Sequence, residues 1–75
     1  MKVAVFGGTG FVGSYLVDAL VGAGMEPVLL VRPGREQKVR HPDACTLVSG
    51  DIFDHEAVMQ TVTGADAVIF NIGIL

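Results

Sequence analysis

Apolar residues in this chain fall into short runs punctuated by glycine, proline and charge, and the runs alternate with stretches of helical spacing. Lys2 is followed by four consecutive apolar residues, Val3-Ala4-Val5-Phe6, which predicts a strand buried on both faces, as in a parallel sheet. Beyond the next glycines, Val12, Leu16, Leu20 and Ala23, with Gly13 and Val17 beside them, keep to one helical stripe, while Ser14, Asp18 and Val21 fall elsewhere on the wheel. Gly24, just past the last periodic residue, is placed to end that helix in the left-handed conformation. Pro27-Val28-Leu29-Leu30-Val31 predicts a second strand, closed by Arg32-Pro33-Gly34. Residues 34–43 have little apolar periodicity and predict at most a short surface helix. Cys45-Thr46-Leu47-Val48-Ser49 predicts strand three, ended by Gly50. Asp54 is placed to cap a second helix, with Glu56 in its first turn, Ala57, Val58 and Val62 as its apolar positions and Gly64 at its end. Ala67-Val68-Ile69-Phe70 predicts strand four, reaching Asn71-Ile72-Gly73.

Strands that alternate with helices of this length imply right-handed crossovers in a parallel α/β sheet. The expected spatial order is 3-2-1-4, one mononucleotide-binding half of a Rossmann-type, doubly wound fold. The connections among strands one, two and three then lie on one face and the helix between strands three and four on the other. That second face is expected to be thinly covered, and strand four to be an open edge. Composition adds weight. The 75 residues are 51% hydrophobic and only 17% charged, against the ~25% usual for soluble domains. Residues 1–75 are therefore expected to be the N-terminal portion of a single, incomplete Rossmann domain, with the remainder of a parent chain or a self-partner covering the strand-four edge.

The net charge of −3 argues against a nucleic-acid-binding surface. No apolar run approaches the ~20 residues of a membrane span, and the N-terminus lacks the pattern of a signal peptide, so a cytoplasmic location is expected. Cys45 is the sole cysteine, expected as a small buried apolar residue without a disulfide or a metal-binding partner. His41 and His55 lack companions at ligand spacing and are expected at the surface or as caps.

The chemistry resides at the strand ends. Gly7, Gly10 and Gly13 form a GxxGxxG pattern between strand one and the first helix, where a dinucleotide's pyrophosphate would sit. One glycine allows the tight turn, one lets the backbone reach the phosphates and one lets helix and sheet pack closely. The helix presents its N-terminal N–H groups to the anion, so the Thr9 hydroxyl and the Phe11 and Val12 amides are candidate donors. Arg32 ends strand two, where a site preferring NAD usually has an acid; Glu26 lies at the opposite end of the strand. Arg32, Arg35, Lys38 and Arg40 place four of the five basic residues within nine positions, which fits the 2′-phosphate of NADP, NAD being the alternative cofactor. A solvated basic loop is the competing reading. Asp51-Ile52, after strand three, either flank an adenine ring or stabilise the turn after Gly50. Asn71 and Gly73 either lie near the nicotinamide ribose or simply let the chain turn. Tyr15 is followed four residues later by Ala19 rather than Lys, and no Ser-Tyr-Lys constellation is present.

In order along the chain, Gly7-Gly8-Thr9-Gly10-Phe11-Val12-Gly13, Arg32, Gly50-Asp51-Ile52 and Gly64-Ala65-Asp66-Ala67-Val68 resemble the extended and atypical short-chain dehydrogenase/reductase superfamily. The likeness is to its NmrA-like NAD(P)-binding branch, including proteins like the complex I 39-kDa accessory subunit, to which Asn71-Ile72-Gly73-Ile74-Leu75 is also similar. The resemblance spans essentially the whole chain. It implies that Gly7, Thr9, Gly10, Phe11, Val12 and Gly13 contact the pyrophosphate, Arg32 the 2′-phosphate, and Asp51 and Ile52 the adenine. It further implies an NAD(P)(H)-binding segment, leaning to NADP, of an oxidoreductase, epimerase or dehydratase whose Tyr-x-x-x-Lys pair lies beyond this region. The alternative it carries is a non-catalytic dinucleotide sensor or respiratory-complex accessory protein, because several branch members have lost that pair.

Overall fold

The computed structural model describes residues 1–71. Strands β1 (Lys2–Phe6), β2 (Glu26–Val31), β3 (Thr46–Ser49) and β4 (Ala67–Phe70) form one parallel sheet in the order β3-β2-β1-β4. Helix α1 (Phe11–Gly22) joins β1 to β2, and α2 (His55–Val62) joins β3 to β4. This is the Rossmann arrangement expected from the strand–helix alternation. The polar segment between β2 and β3 forms two single 3₁₀ turns, Glu36–Lys38 and Pro42–Ala44, pinned to the core by the buried Val39. Burying that one side chain stabilises the segment by roughly 1.5 kcal/mol or more.

Pro27 sits second in a central strand without breaking the sheet. It pairs with Val3 of β1, while pairing to β3 begins only at Val28, so its missing N–H faces no partner strand. The register of β4 is set by Asp66. Its carboxylate accepts the Lys2 N–H at 2.9 Å and its own N–H donates to the Lys2 carbonyl at 2.7 Å.

Both helices end as their glycines predict. Gly24 has φ 78°, the Gly24 N–H donates to the Val21 carbonyl and the Met25 N–H to the Leu20 carbonyl, a Schellman closure. Gly64 has φ 78° just beyond α2. At the start of α2, Asp54 Oδ1 accepts the Ala57 N–H at 3.2 Å. Asp54→Ala is expected to cost about 1 kcal/mol of stability, read as a lower urea midpoint at unchanged slope.

The buried face of α1 differs from the expected stripe. Gly13 and Val17 are buried, Leu20 and Val21 pack on the core, and Val12 and Ala23 are exposed. The helix is apolar around most of its circumference, so tertiary contact selects the face. It selects the one through Gly13, where the backbone can come closest to β1. In α2, Thr61 joins Ala57 in the core, while Val58 and Val62 are half-buried. Its hydroxyl donates to the Ala57 carbonyl at 2.7 Å, which satisfies the polar atom and frees the methyl to pack.

Val3, Val5, Leu29 and Val31 pack with Val17 and Val39 on the α1 side of the sheet. On the other side α2 lies over β1, β2 and β3. It leaves Val68 and Phe70 of β4 exposed, the thin cover the topology implies. Cys45 precedes β3 rather than opening it and is half-buried, and burial pushes its thiol pKa up.

Candidate functional site

All four strands point their carboxyl ends at one cleft of about 390 Å³. It is lined by Gly7 after β1, Arg32 after β2, Gly50 and Asp51 after β3, and Asn71 after β4, that is, by the residue following each strand. Helix α1, which leaves β1, and helix α2, which leads into β4, lie on opposite faces of the sheet, so the cleft opens at the point where the winding reverses, the usual ligand position in such sheets.

The glycine loop divides its labour. Gly7 has φ 88° and makes the turn out of β1. Gly10 is exposed at the N-cap of α1, and a Cβ there would meet only the Gly7 carbonyl oxygen, at 3.7 Å. Gly13 is buried: a Cβ would overlap the Gly7 carbonyl oxygen and lie 2.9 Å from both the Gly7 carbonyl carbon and the Gly8 Cα. Gly8, outside the three-glycine pattern, is a packing glycine too, its Cβ position 3.1 Å from Leu29 Cδ2.

Helix α1 begins unneutralised. Gly10 offers no side-chain cap, the first turn has no acid, and the first intrahelical bond runs from the Ser14 N–H to the Gly10 carbonyl. The N–H groups of Phe11, Val12 and Gly13 are therefore the turn's free donors, and the positive end of the helix dipole has no carboxylate on it. Thr9 and Gly10 line the cleft; Phe11, Val12 and Gly13 do not, so any contact they make is through backbone at its rim.

The basic cluster splits. Arg32 and Arg35 line the cleft, whereas Lys38 and Arg40 do not. Arg40 pairs with Asp18 of α1 at 3.1 Å, and His41, at φ 56°, places Nε2 2.7 Å from the same carboxylate. Among the described residues Arg32 and Arg35 are in no ion pair. Glu36, beside Arg35, has both carboxylate oxygens 3.1 Å from the Gly34 N–H, which holds it in the turn. Two arginines in no ion pair thus line one cleft, which they share with the Asp51 carboxylate.

Asp51 lines the cleft, and as the turn reading expects its Oδ1 accepts the Phe53 N–H at 2.8 Å. Ile52 also lines the cleft, as does Asn71, whose N–H donates to the Phe6 carbonyl at 2.9 Å. Gly73 lies outside the described residues. Of the lining, Gly7, Thr9, Gly10, Arg32, Asp51, Ile52 and Asn71 are residues the sequence points to; the cleft adds Phe6, Leu30, Arg35, Gly50 and Phe53. Arg35 was signalled by the charge cluster, and Phe53 by being an aromatic residue in a polar turn. No helix of the described residues is long and apolar enough to cross a membrane, and they contain no cluster of metal-ligating side chains.

Comparison with known proteins places this geometry. Residues 7–74 match the model of a family described as NAD(P)H-binding, and the chain belongs to that family. Eugenol synthase 1 of Petunia hybrida is 31% identical over 80 residues, spanning 96% of this chain and 26% of that protein. Among solved structures, AtPrR2 with NADP+ and (+)pinoresinol superposes with a TM-score of 0.77 at 29% identity, covering 96% of this chain and 26% of that one. The Bordetella bronchiseptica enzyme WbmH in complex with NAD+ gives 0.80 at 28% identity, covering 99% and 26%. The chain thus spans about a quarter of the length of the relatives it matches. The family and the fold agree with the short-chain dehydrogenase/reductase resemblance read from the motifs, and reductases recur among the similar proteins.

Proposed function

We propose that this member of the NAD(P)H-binding family grips NADP(H) in the cleft at the carboxyl ends of its strands, as the cofactor segment of a reductase. The observation that carries the reading is the unpaired Arg32 and Arg35 in the same cleft as the uncapped start of α1. A dinucleotide with a 2′-phosphate brings anions to both places. The pyrophosphate meets the free amides of the glycine loop, and the 2′-phosphate meets the guanidiniums, whose forked donors match phosphate oxygens. A site built for an unphosphorylated ribose usually sets a carboxylate where Arg32 stands.

The remaining lining residues fit the rest of the molecule. Asp51 and Ile52 stand at the adenine end, and Asn71, tied to the β1 backbone, stands at the nicotinamide end. When bound, the nicotinamide supplies hydride chemistry at its C4. This segment's own part is to bind and orient. The open backbone at Gly10 admits the phosphates, and Asn71, held on the Phe6 carbonyl, keeps the ring end against the sheet edge.

Arg32→Glu tests the cofactor preference. A charge-assisted phosphate contact contributes ~1.5–3 kcal/mol, so calorimetric affinity for NADPH is expected to fall about ten- to a hundredfold, with NADH changed far less. Equal losses for the two cofactors would refute a 2′-phosphate contact at Arg32.

A further inference from the structure

We propose that Phe53 is the platform on which the adenine ring of the bound dinucleotide stacks, a proposal that rests on the reading of the cleft as an NAD(P) site. The chain has five aromatic side chains, four Phe and one Tyr, and four of them pair with each other. Phe6 and Phe70 lie 5.7 Å apart between ring centroids, and Phe11 meets Tyr15 edge-on at 5.3 Å. Phe53 is left without an aromatic partner, 92% exposed, and it lines the cleft beside Arg35 and Asp51.

Its backbone is held from both sides. The Phe53 N–H donates to Asp51 Oδ1 at 2.8 Å, the Asp54 N–H closes the turn on the Asp51 carbonyl at 3.0 Å, and Asp54 then caps α2. An aromatic ring on a held backbone at the rim of a cleft presents a flat apolar face at little entropic cost, since only two side-chain torsions need ordering. A purine is the part of a dinucleotide that uses such a face. Phosphates and riboses need donors and charge, which the glycine loop and the arginines already provide. Stacking from Phe53 complements Asp51, whose carboxylate retains acceptor capacity for the edge of the base.

The test uses the full chain, which contains no tryptophan, so Phe53→Trp creates a lone indole reporter. Titration with ADP, the half shared by NAD and NADP, is expected to quench that emission saturably, and nicotinamide mononucleotide to leave it unchanged. Phe53→Ala is expected to weaken NADP+ and NAD+ binding by the same factor, about tenfold, the loss typical of one base–aromatic stack. Arg32→Glu separates the cofactors, so the two effects are distinguishable. If the unsubstituted chain binds dinucleotide and Phe53→Ala binds it equally well, or ADP leaves the indole unquenched, the stacking role is overturned and the site reading stands. If the unsubstituted chain binds neither dinucleotide, both fall together.

Discussion

Gly13→Ala is expected to destabilise the fold by about 3 kcal/mol or more, enough to unfold much of a chain this small. The sign is informative because helix propensity alone predicts the reverse. Alanine in a helix interior is favoured over glycine by about 1 kcal/mol. At Gly13 that gain is outweighed by overlap with the Gly7 carbonyl and close approach to Gly8, both of them backbone atoms that no side-chain rotation relieves. Gly22, the last residue of α1, supplies the control. Nothing lies within 4 Å of its Cβ position, so Gly22→Ala is expected to be neutral or slightly stabilising. The check is a pair of urea titrations followed by circular dichroism. A Gly13→Ala chain as stable as the original would show that the helix does not need its close approach to β1.

Gly10→Val separates binding from folding. Its Cβ position is open to solvent apart from the Gly7 carbonyl oxygen at 3.7 Å, and its φ of −76° suits any residue. The cost to the fold is therefore that of a poorer N-cap, about 1 kcal/mol. In the proposed binding mode the cost to affinity is larger, because a branched side chain occupies the space through which phosphates would reach the first amides of α1. An overlap of this kind weakens binding on the order of a hundredfold. Calorimetry with NADPH on a folded variant checks it, and unchanged affinity would remove residues 7–13 from the site.

How much of this was legible beforehand depended on whether one residue type had one physical solution. Gly24 and Gly64 end their helices with positive φ because a residue with a Cβ is strained there, so their role could be read from position. The strand order followed from short apolar runs separated by helices. The buried face of α1 could not be read in the same way. Val12, Leu16, Val17, Leu20 and Val21 offer more than one apolar stripe, and the packing of Gly13 on the glycine turn chooses among them. Thr61 is polar by residue type, which hides its place in the core, where its hydroxyl is satisfied inside its own helix.

The site divided similarly. Residues that follow strands could be placed because the topology brings strand ends together. The fate of each basic residue could not, since Arg40 and Arg35 look alike in sequence and differ only in what lies across from them. Asp18, more than twenty residues earlier in the chain, takes Arg40 and His41, and leaves Arg32 and Arg35 to the cleft.

The most direct measurement is a calorimetric titration of the full chain with NADPH and then with NADH. Saturable one-to-one binding of both is expected, tighter for NADPH. Absence of binding heat for either cofactor, from a chain that melts cooperatively, would contradict it.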